Sequence, residues 1–562
     1  MSNAFFSLSR LALAGQTKHP DRTASLTGNN GSGKVGSVGN HQNFENGYPI
    51  QMASEISAGR PPYDKAKFEA RAEVLAVVRR HLESAAKQEL TRPLIEIVGV
   101  TWIGKTWLLK HVEENYKRGS NQHVGKRSTF TLYFDLEDVT LLEPSEAEIF
   151  QWFTRFLRAF IPTLERASGT TRPNELEILR QKESGLPLDP VELQQALISL
   201  KSWFVELRRK YFPILVLDSL EKIDASLLAW LEYEILVPFV KDNQALIITA
   251  GRHPVKWREP EIRFYSDFIR LGALEEWGTL GDQGVPKWIH ERYALGHAGL
   301  AAKLYELLQP QRDRIKQVDA FDGTAIQQGI VESYLKEGIE KIVLNDVPGE
   351  DKPGKQMNLR GILWTISVLR IFGPETLKMM VDTFGPAEYH DKSYMFFRQV
   401  GFNLVGNHIA AWRAGLSDYR VEPLVRRIMA NALQILDGAG EFSRRHETAE
   451  QGYRDALWDA PSTAPFKLPE LLYHYCARMK LLEPDELSEK AIVETNALVE
   501  ALALAESKSE LDTLVQRLKN QDDADLKELR CDMIKIVGTE TYQAIVNVFQ
   551  QALTASEPVP AM

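Results

Sequence analysis

Cysteine is scarce in this sequence, which has 562 residues and only two cysteines, Cys476 and Cys531. The two lie far apart in apolar helical surroundings, which argues against a disulfide scaffold and against a cysteine-based metal site. Both are predicted to be buried thiols. Such sparing use of cysteine is typical of a reducing compartment, so we expect a cytoplasmic protein.

Long apolar runs are also lacking. No uninterrupted apolar stretch approaches the length of a membrane span, so no membrane partner is expected. The N-terminal segment FFSLSRLALAG is broken by Arg10 and has no basic region before its apolar part, unlike a secretory signal.

An excess of positive charge is missing as well. The formal net charge is −9 and the pI is near 5.9. This balance argues against a protein that coats a polyanion and leaves only a local basic face as a DNA contact, which is possible but not favoured. With 44% apolar and 25% charged residues, the chain is long enough for three or four globular domains.

Residues 1–55 are rich in Gly, Asn and Ser and are predicted to form a flexible leader. They contain Gly28-x-x-x-x-Gly33-Lys34, which has the spacing of a phosphate-binding loop. This copy lacks a preceding strand and a following helix, and it has Val35 where a magnesium-binding hydroxyl is needed. We therefore interpret it as a decoy.

Residues 56–262 alternate between short β-branched strands and amphipathic helices. The predicted strands lie in PLIEIVGV, TFTLYFDLED, FPILVLDSL and QALIITAGR. Alternation of this kind predicts an α/β domain with a parallel sheet covered by helices on both faces.

The remaining chain is predicted to be mostly helical. We expect an all-α lid over residues 263–355 and a winged-helix domain with following helices over 356–484. In the latter, GFNLVGNHIAAWRAGLSDYRVEPLV has the pattern of a hairpin that turns at Gly415 and leads to a helix near Pro423. Residues 485–562 are predicted to form amphipathic helices with Leu498, Leu514 and Phe549 at helical spacing.

A phosphate-binding loop of the Walker A type is predicted between the first strand and the next helix. Its residues are Gly99, Val100, Thr101, Trp102, Ile103, Gly104, Lys105 and Thr106. The glycines turn backbone N–H groups toward a polyphosphate, the lysine meets the β- and γ-phosphates, and the threonine ligates Mg²⁺. Trp107 follows as a candidate nucleotide contact, with core packing as its alternative.

Two further strand ends carry candidate catalytic groups. Asp218 ends the apolar strand ILVLD, which we expect to adjoin the Walker A strand, and it is a candidate second Mg²⁺ ligand. Glu221 is a candidate to orient the attacking water, and Arg252, after the strand LIITAG with Thr249, to sense the γ-phosphate. The alternatives are a turn or cap role for the two acids and a solvated loop position for the arginine.

With these residues in place, the sequence resembles the STAND class of P-loop NTPases, the AAA+-related group that includes NACHT and NB-ARC proteins. The resemblance covers about residues 60–460. The segment with Phe68, Arg71 and Glu73 resembles a degenerate form of the family's F-x-G-R-x-x-E-L helix, which in the family lies over the base; Ala70 replaces its glycine, and Glu73 stands one position before its glutamate. LDSLEK and ITAGR resemble the family's Walker B and sensor motifs.

The resemblance extends into the helical half. LGHAGLAAKLYELL is similar to the lid motif G-x-P, with Ala298 at the position of the nucleotide-contacting proline, and residues 359–430 are similar to the family's winged helix. The family's phosphate-reading histidine is not assigned: His408 and His446 are both candidates, and the alternative for each is an ordinary core or surface position. Trp102 and Ser219 also depart from the family pattern, and these departures affect turnover more than binding.

The resemblance implies a switch that binds ATP or ADP with Mg²⁺, hydrolyses slowly and forms homo-oligomers on activation. It also implies a protein sensor or effector partner, for which residues 485–556 are the candidate surface. The alternative for that segment is a helical cap on the winged helix.

Two other functions stay open at this point. One is a DNA-associated AAA+ ATPase of the origin-recognition or transposition-regulator kind, in which a basic face would be formed by Arg398, Arg413, Arg420, Arg426 and Arg427. The other is a scaffold that holds ADP without hydrolysing ATP.

Overall fold

The computed structural model describes residues 71–139, 146–181, 188–274, 285–308, 325–345, 347–349, 357–407, 409–413, 418–480, 482–503, 508–520 and 523–555. The predicted leader, Phe68, His408 and Gly415 lie outside these ranges. The described residues fall into two compact units. The first contains 72–98 and 105–269, and the second contains Arg71, 99–104 and the residues from Arg270 onward.

The first unit is built on a six-stranded sheet in the order β2-β3-β4-β5-β1-β6. Its strands are β1 (Leu94–Val98), β2 (His123–Val124), β3 (Arg127–Asp135), β4 (Tyr211–Asp218), β5 (Leu246–Gly251) and β6 (Ser266–Arg270). The neighbours β3, β4, β5 and β1 run parallel, and β2 is antiparallel to β3. Strands β1 and β5 are buried along their whole length, as expected for a sheet covered on both faces.

Amphipathic helices cover this sheet, which confirms the predicted fold class. The main helices are α1 (Ala72–Ala86), α2 (Lys105–Tyr116), α3 (Glu146–Ser168), α4 (Pro190–Lys210) and α5 (Ala225–Leu231), the last continued by a π turn at Glu232–Leu236. Between α3, α4 and α5 lies an aromatic core in which Phe153 stacks on Trp230 at a centroid distance of 4.2 Å.

The strand order differs from the prediction in two respects. Strand β5 lies between β1 and β4, so the strand that ends in Asp218 does not adjoin the Walker A strand. In addition, β6 continues the sheet to Arg270, in a stretch predicted to be mostly helical. Its residues are only partly buried, so the apolar run that marks the central strands is missing there.

The second unit contains the predicted lid and winged helix. Its first helices are α6 (Ala298–Leu308), α7 (Ala325–Gly338), α8 (Leu359–Thr365), α9 (Pro374–Phe384) and α10 (Tyr394–Gly406). The antiparallel strands β7 (Ile371–Phe372), β8 (Ala410–Arg413) and β9 (Asp418–Val421) pair in the order β7-β9-β8. The predicted hairpin and the helix from Pro423 are confirmed, and β7 adds a short third strand.

The C-terminal part of the second unit is a helical bundle. It contains α11 (Pro423–Leu436), α12 (Gly438–Asp459), α13 (Ala464–Arg478), α14 (Pro484–Ala503), α15 (Lys508–Lys519) and α16 (Ala524–Ala555). Leu514 and Phe549 are buried where these helices pack on α13. This packing favours the cap interpretation of the segment. Of the two cysteines, Cys476 is buried as predicted, whereas Cys531 on α16 is exposed, so the prediction is wrong for Cys531.

No helix among the described residues is both long and apolar enough to cross a membrane.

A buried ion pair holds the winged helix to the bundle. The Arg370 guanidinium donates to both oxygens of Glu470 at 3.0 and 2.5 Å, and both side chains are at most 2% exposed. Because a buried charge without its partner is costly, removing one member should destabilise the unit far more than removing both.

We expect Arg370→Met to lower the free energy of unfolding by about 3–5 kcal/mol, since it leaves the Glu470 carboxylate buried and unpaired. The double change Arg370→Met with Glu470→Leu should restore most of that loss. Guanidinium unfolding followed by tryptophan fluorescence measures both values. Equal destabilisation by the single and the double change would contradict this account.

Candidate functional site

The Walker A motif crosses the division between the two units. Lys105 and Thr106 open α2 in the first unit, whereas Gly99–Gly104 belong to the second. Gly104 has a φ of 100°, a value that side-chain-bearing residues rarely adopt, so glycine is required immediately before α2. Lys105 is 9% exposed at the helix start, where unsatisfied backbone N–H groups favour an anion.

Asp218 lies at the carboxyl end of β4 and is 2% exposed. Its carboxylate accepts hydrogen bonds from the Tyr133 hydroxyl at 2.9 Å and from the Ser219 N–H at 2.9 Å. It also accepts a hydrogen bond from the Thr106 hydroxyl. Lys105 is close enough to interact with it electrostatically. The two predicted Mg²⁺ ligands and the Walker lysine therefore meet within the first unit.

A second carboxylate stands beside Asp218. Asp135 ends β3 and is the register partner of Asp218 on β4. Burial raises the pKa of Asp218, and the charge of Asp135 raises it further, while Thr106, Tyr133 and Lys105 act in the opposite direction. Asp218 therefore binds a proton more readily than an ordinary aspartate, and a bound cation is the natural compensation for the two charges.

Sequence analysis missed Tyr133 and Asp135. The signal was present, since LYFD and LVLD are both apolar strands that end in aspartate. Because neighbouring parallel strands end at the same edge of a sheet, the two acids were bound to lie close together once β3 and β4 paired.

Glu221 and Arg252 form an ion pair in which the Arg252 Nε lies 3.3 Å from the Glu221 Oε1, and both side chains are largely buried. The other Glu221 oxygen, Oε2, is buried and has no hydrogen-bond partner. Ser219, in the left-handed region at φ 61°, turns the chain from β4 into the short 3-10 helix that carries Glu221. The predicted catalytic acid and the predicted phosphate sensor thus bind each other.

The Walker loop in the second unit is held by two side chains. Arg71 donates to the Ile103 carbonyl at 3.1 Å, and burial lowers the pKa of Arg71 to about 10. His297 is fully buried, and its Nε2 lies 2.9 Å from the Thr101 carbonyl, while its Nδ1 accepts the Leu300 N–H at 3.0 Å. These bonds require the tautomer with the proton on Nε2.

His297 is the other site residue that sequence analysis missed, although it precedes Ala298 in the predicted lid motif. It caps α6 and holds the Walker loop at once. Gly299 packs tightly against Trp102 and donates its N–H to the Trp102 carbonyl at 3.1 Å. Trp102 itself has a φ of 61°, which explains why glycine suits this position in the family that the motif resembles.

The other predicted contacts are partly exposed. Val100, Ala298 and Trp107 are all of intermediate exposure, and Trp107 lies on α2 one position after Thr106. Gly99 faces Ile103 and Leu271 so closely that a side chain would crowd both.

His446 occupies the core, which is the alternative that the sequence left open for this histidine. This side chain is fully buried between α12 and α13, and its Nδ1 lies 2.8 Å from the Nδ1 of His474. Burial lowers the pKa of His446 to about 3, so the ring is neutral at physiological pH. It is a core residue without access to a ligand.

The five-arginine basic face is wrong for two of its members. Arg426 is 2% exposed and binds Glu528 at 2.8 Å and Asp532 at 2.5 Å. Arg420 also binds Glu528, at 3.3 Å. Carboxylates of α16 thus neutralise both. Of the other three, Arg398 is exposed on α10, and Arg413 and Arg427 are of intermediate exposure.

Strand order and motif position together give the first unit the arrangement of an α/β P-loop NTPase domain. The Walker A lysine follows β1, the acid Asp218 ends β4, and β5 lies between the two strands.

Comparisons with known proteins add little to this assignment. No family model matches the sequence, and no curated protein matches it. Among solved structures, the chain is similar to Cdc6p from Pyrobaculum aerophilum, with 13% identity, 68% of this chain and 98% of that chain covered, and a TM-score of 0.29.

Two further solved structures show a similar likeness. One is Drosophila ORC bound to DNA, with 12% identity, 71% of this chain and 96% of that chain covered, and a TM-score of 0.31. The other is Aeropyrum pernix ORC1 in complex with DNA, with 14% identity, 67% of this chain and 95% of that chain covered, and a TM-score of 0.30. These TM-scores are too low to support an inference about the function of this protein.

We expect Asp218→Asn to stabilise the nucleotide-free protein at neutral pH, by on the order of 1 kcal/mol. The pKa of Asp218 is raised in the folded state. The folded protein therefore binds protons more readily than the unfolded chain, and its stability declines as pH rises from the ordinary aspartate pKa through the raised one.

The asparagine variant should lack this decline. Thermal unfolding of both proteins between about pH 4 and pH 8, without nucleotide or metal, measures the difference. Identical pH profiles would show that Asp218 carries no unfavourable charge in the folded protein.

Proposed function

We propose that the protein is a nucleotide-dependent switch of the STAND type that binds ATP and ADP with Mg²⁺. The observation that carries the proposal is the meeting of Lys105, Thr106 and Asp218, with the lysine and threonine at the start of α2 and the acid at the end of β4. An ammonium group, a hydroxyl and a carboxylate are the groups that bind a magnesium-bound triphosphate in this fold.

Magnesium binding would use few protein ligands. No group of three or more His, Cys, Asp or Glu side chains able to hold a metal occurs among the residues that the structure describes. The Thr106 hydroxyl and the Asp218 carboxylate would supply two oxygen ligands, and phosphate oxygens and water the rest, which is the usual mode for Mg²⁺.

The ion pair between Glu221 and Arg252 supports slow hydrolysis. The Arg252 Nε contacts the Glu221 Oε1 at 3.3 Å, so the arginine shares its charge with this carboxylate when no phosphate is bound. A γ-phosphate would compete for the arginine and release the acid to orient water, which ADP does not do. The pair therefore distinguishes the two nucleotides, as a switch requires.

In this proposal the lid responds through His297, which binds the Walker loop and caps α6 in the same tautomer. The downstream partner would be a protein sensor or effector, with homo-oligomers formed in the ATP state. The packing of α14–α16 on the winged helix leaves less of that segment for a partner than the sequence suggested.

A DNA-associated ATPase is the second candidate. It is favoured by one observation, the exposed Arg398 on α10, the third helix of the predicted winged-helix domain. DNA affinity that falls steeply with salt and is weakened by Arg398→Ala would establish this function instead.

We expect Lys105→Ala to weaken ATP binding by about 2–5 kcal/mol, which is roughly a thirtyfold or greater loss, because the triphosphate loses its charge partner. The matched control is Lys34→Ala, which alters the lysine of the decoy motif and should leave affinity unchanged. Titration with a fluorescent ATP analogue measures both. A normal affinity in the Lys105 variant would refute nucleotide binding at this site.

We expect Glu221→Gln to keep ATP binding and to lower phosphate release by roughly a hundredfold or more, as loss of a general base does. Arg252→Ala should also keep ADP binding but lose the preference between ATP and ADP. Single-turnover phosphate release and nucleotide titrations measure these effects. Nucleotide retained through purification, with no phosphate release in the unaltered protein, would instead identify a non-hydrolysing scaffold.

A further inference from the structure

Glu96 is a buried carboxylate in the middle of β1. It is 4% exposed and stands between Ile95 and Ile97, in a strand that is buried along its whole length. Strands covered on both faces normally carry apolar residues at such positions. Burial raises the pKa of Glu96, so its charge lies there at a cost in free energy. The nucleotide site described above does not use this group.

Both oxygens of Glu96 bind the chain that follows β5. The Val255 N–H donates to Oε1, and the Trp257 indole N–H donates to Oε2 at 3.0 Å. The indole is 5% exposed and belongs to the hydrophobic core of the first unit. One buried side chain thus holds two points of residues 252–259, which are called the β5 loop below.

Arg252 is the first residue of the β5 loop, and β1 fixes the main chain on both sides of it. On one side, Gly251 is the register partner of Val98. On the other side, the Val255 N–H is bound to Glu96. The arginine therefore lies in a connection that is held at both ends by the same strand.

This connection is short and stiff. Only His253 and Pro254 lie between Arg252 and Val255. The proline ring fixes its own φ and also restricts the residue before it. A shift of Val255 is therefore passed on to Arg252, because the two intervening residues have little freedom to absorb it.

A second buried carboxylate holds the far end of the β5 loop in a different way. Glu232 is fully buried, and its Oε2 accepts both the Arg258 N–H at 2.8 Å and the Glu259 N–H at 2.9 Å. Its Oε1 is buried without a hydrogen-bond partner. Glu232→Gln can keep both bonds through one amide oxygen, whereas Glu96→Gln places an amide NH₂ against one of two N–H donors.

We propose that Glu96 is a positioning residue for Arg252. By holding Val255, it keeps the Arg252 guanidinium where it contacts Glu221 at 3.3 Å and where a γ-phosphate would compete for it. Glu96 acts through the main chain and needs no contact with the nucleotide. The inference rests on the proposed function, because it concerns the arginine that distinguishes ATP from ADP.

Hydrogen exchange of the nucleotide-free, full-length protein tests the hold on the loop. Glu96→Leu removes both acceptors at similar side-chain size and should speed amide exchange in residues 252–259 by roughly tenfold or more, the effect of losing a hydrogen bond to a charged group. Glu96→Gln keeps one bond and should give a smaller increase, and it replaces the leucine variant if that variant does not fold.

The matched control is Glu232→Gln, which removes the other buried charge on the same loop but keeps its hydrogen bonds. Its exchange should match that of the unaltered protein. Unchanged exchange in the Glu96 variants overturns the inference, because Glu96 would then not hold the loop.

Titration with ATP and with ADP tests the consequence for Arg252. The quantity of interest is the ratio of the ADP to the ATP dissociation constant. Glu96→Leu should keep ADP affinity and lower this ratio to that of the Arg252→Ala protein, by roughly tenfold or more, whereas Glu232→Gln should not change it. Glu96→Leu combined with Arg252→Ala should lower the ratio no further, because both changes act through one group.

A purely structural role predicts a different result, in which thermal stability falls and both nucleotides bind more weakly by the same factor. That result, or effects of Glu96→Leu and Arg252→Ala that add, overturns the inference and leaves nucleotide binding at the site intact. If Arg252→Ala itself leaves the ratio unchanged, the proposed role of the arginine fails, and the inference fails with it.

Discussion

The parallel alignment of β3, β4 and β5 is the constraint on which the candidate site depends. Parallel strands end at one edge of a sheet, so the side chains that follow them are brought together whatever the intervening helices do. Asp135 and Asp218 are register partners, and Arg252 follows the end of β5. The same alignment creates the electrostatic problem of the site, because it places the partly exposed Asp135 beside the buried Asp218, and Lys105, Thr106 and Tyr133 offset the resulting rise in the pKa of Asp218.

The sequence predicts the parts of this fold that depend on local pattern. Apolar strands and amphipathic helices of the α/β unit are marked by their periodicity, and the Walker loop by its glycines and lysine. The order of the strands cannot be predicted from local pattern, because strand pairing depends on contacts between segments that are distant in sequence. Insertion of β5 between β1 and β4, and the partly exposed edge strand β6, have no local signature.

The site shows the same division. Lys105 is predicted by the Walker A motif, and Asp218 is predicted by its position at the end of an apolar strand. The ion pair between Glu221 and Arg252 is not predictable in this way, because it depends on how two strand ends meet. Likewise, an arginine in a sequence gives no sign of whether it faces solvent or a carboxylate. Arg426 finds its partners Glu528 and Asp532 about a hundred residues further along the chain, which removes it from any basic surface.

The histidine pair in the second unit has a further property. With both Nδ1 atoms 2.8 Å apart and both Nε2 atoms buried without a partner, one ring must donate along this line and the other must accept. The rings of His446 and His474 therefore cannot share the same tautomer. Exchange of these roles changes the proton position on both rings while the heavy atoms stay in place, so one arrangement of the core side chains is compatible with two opposite directions of this hydrogen bond.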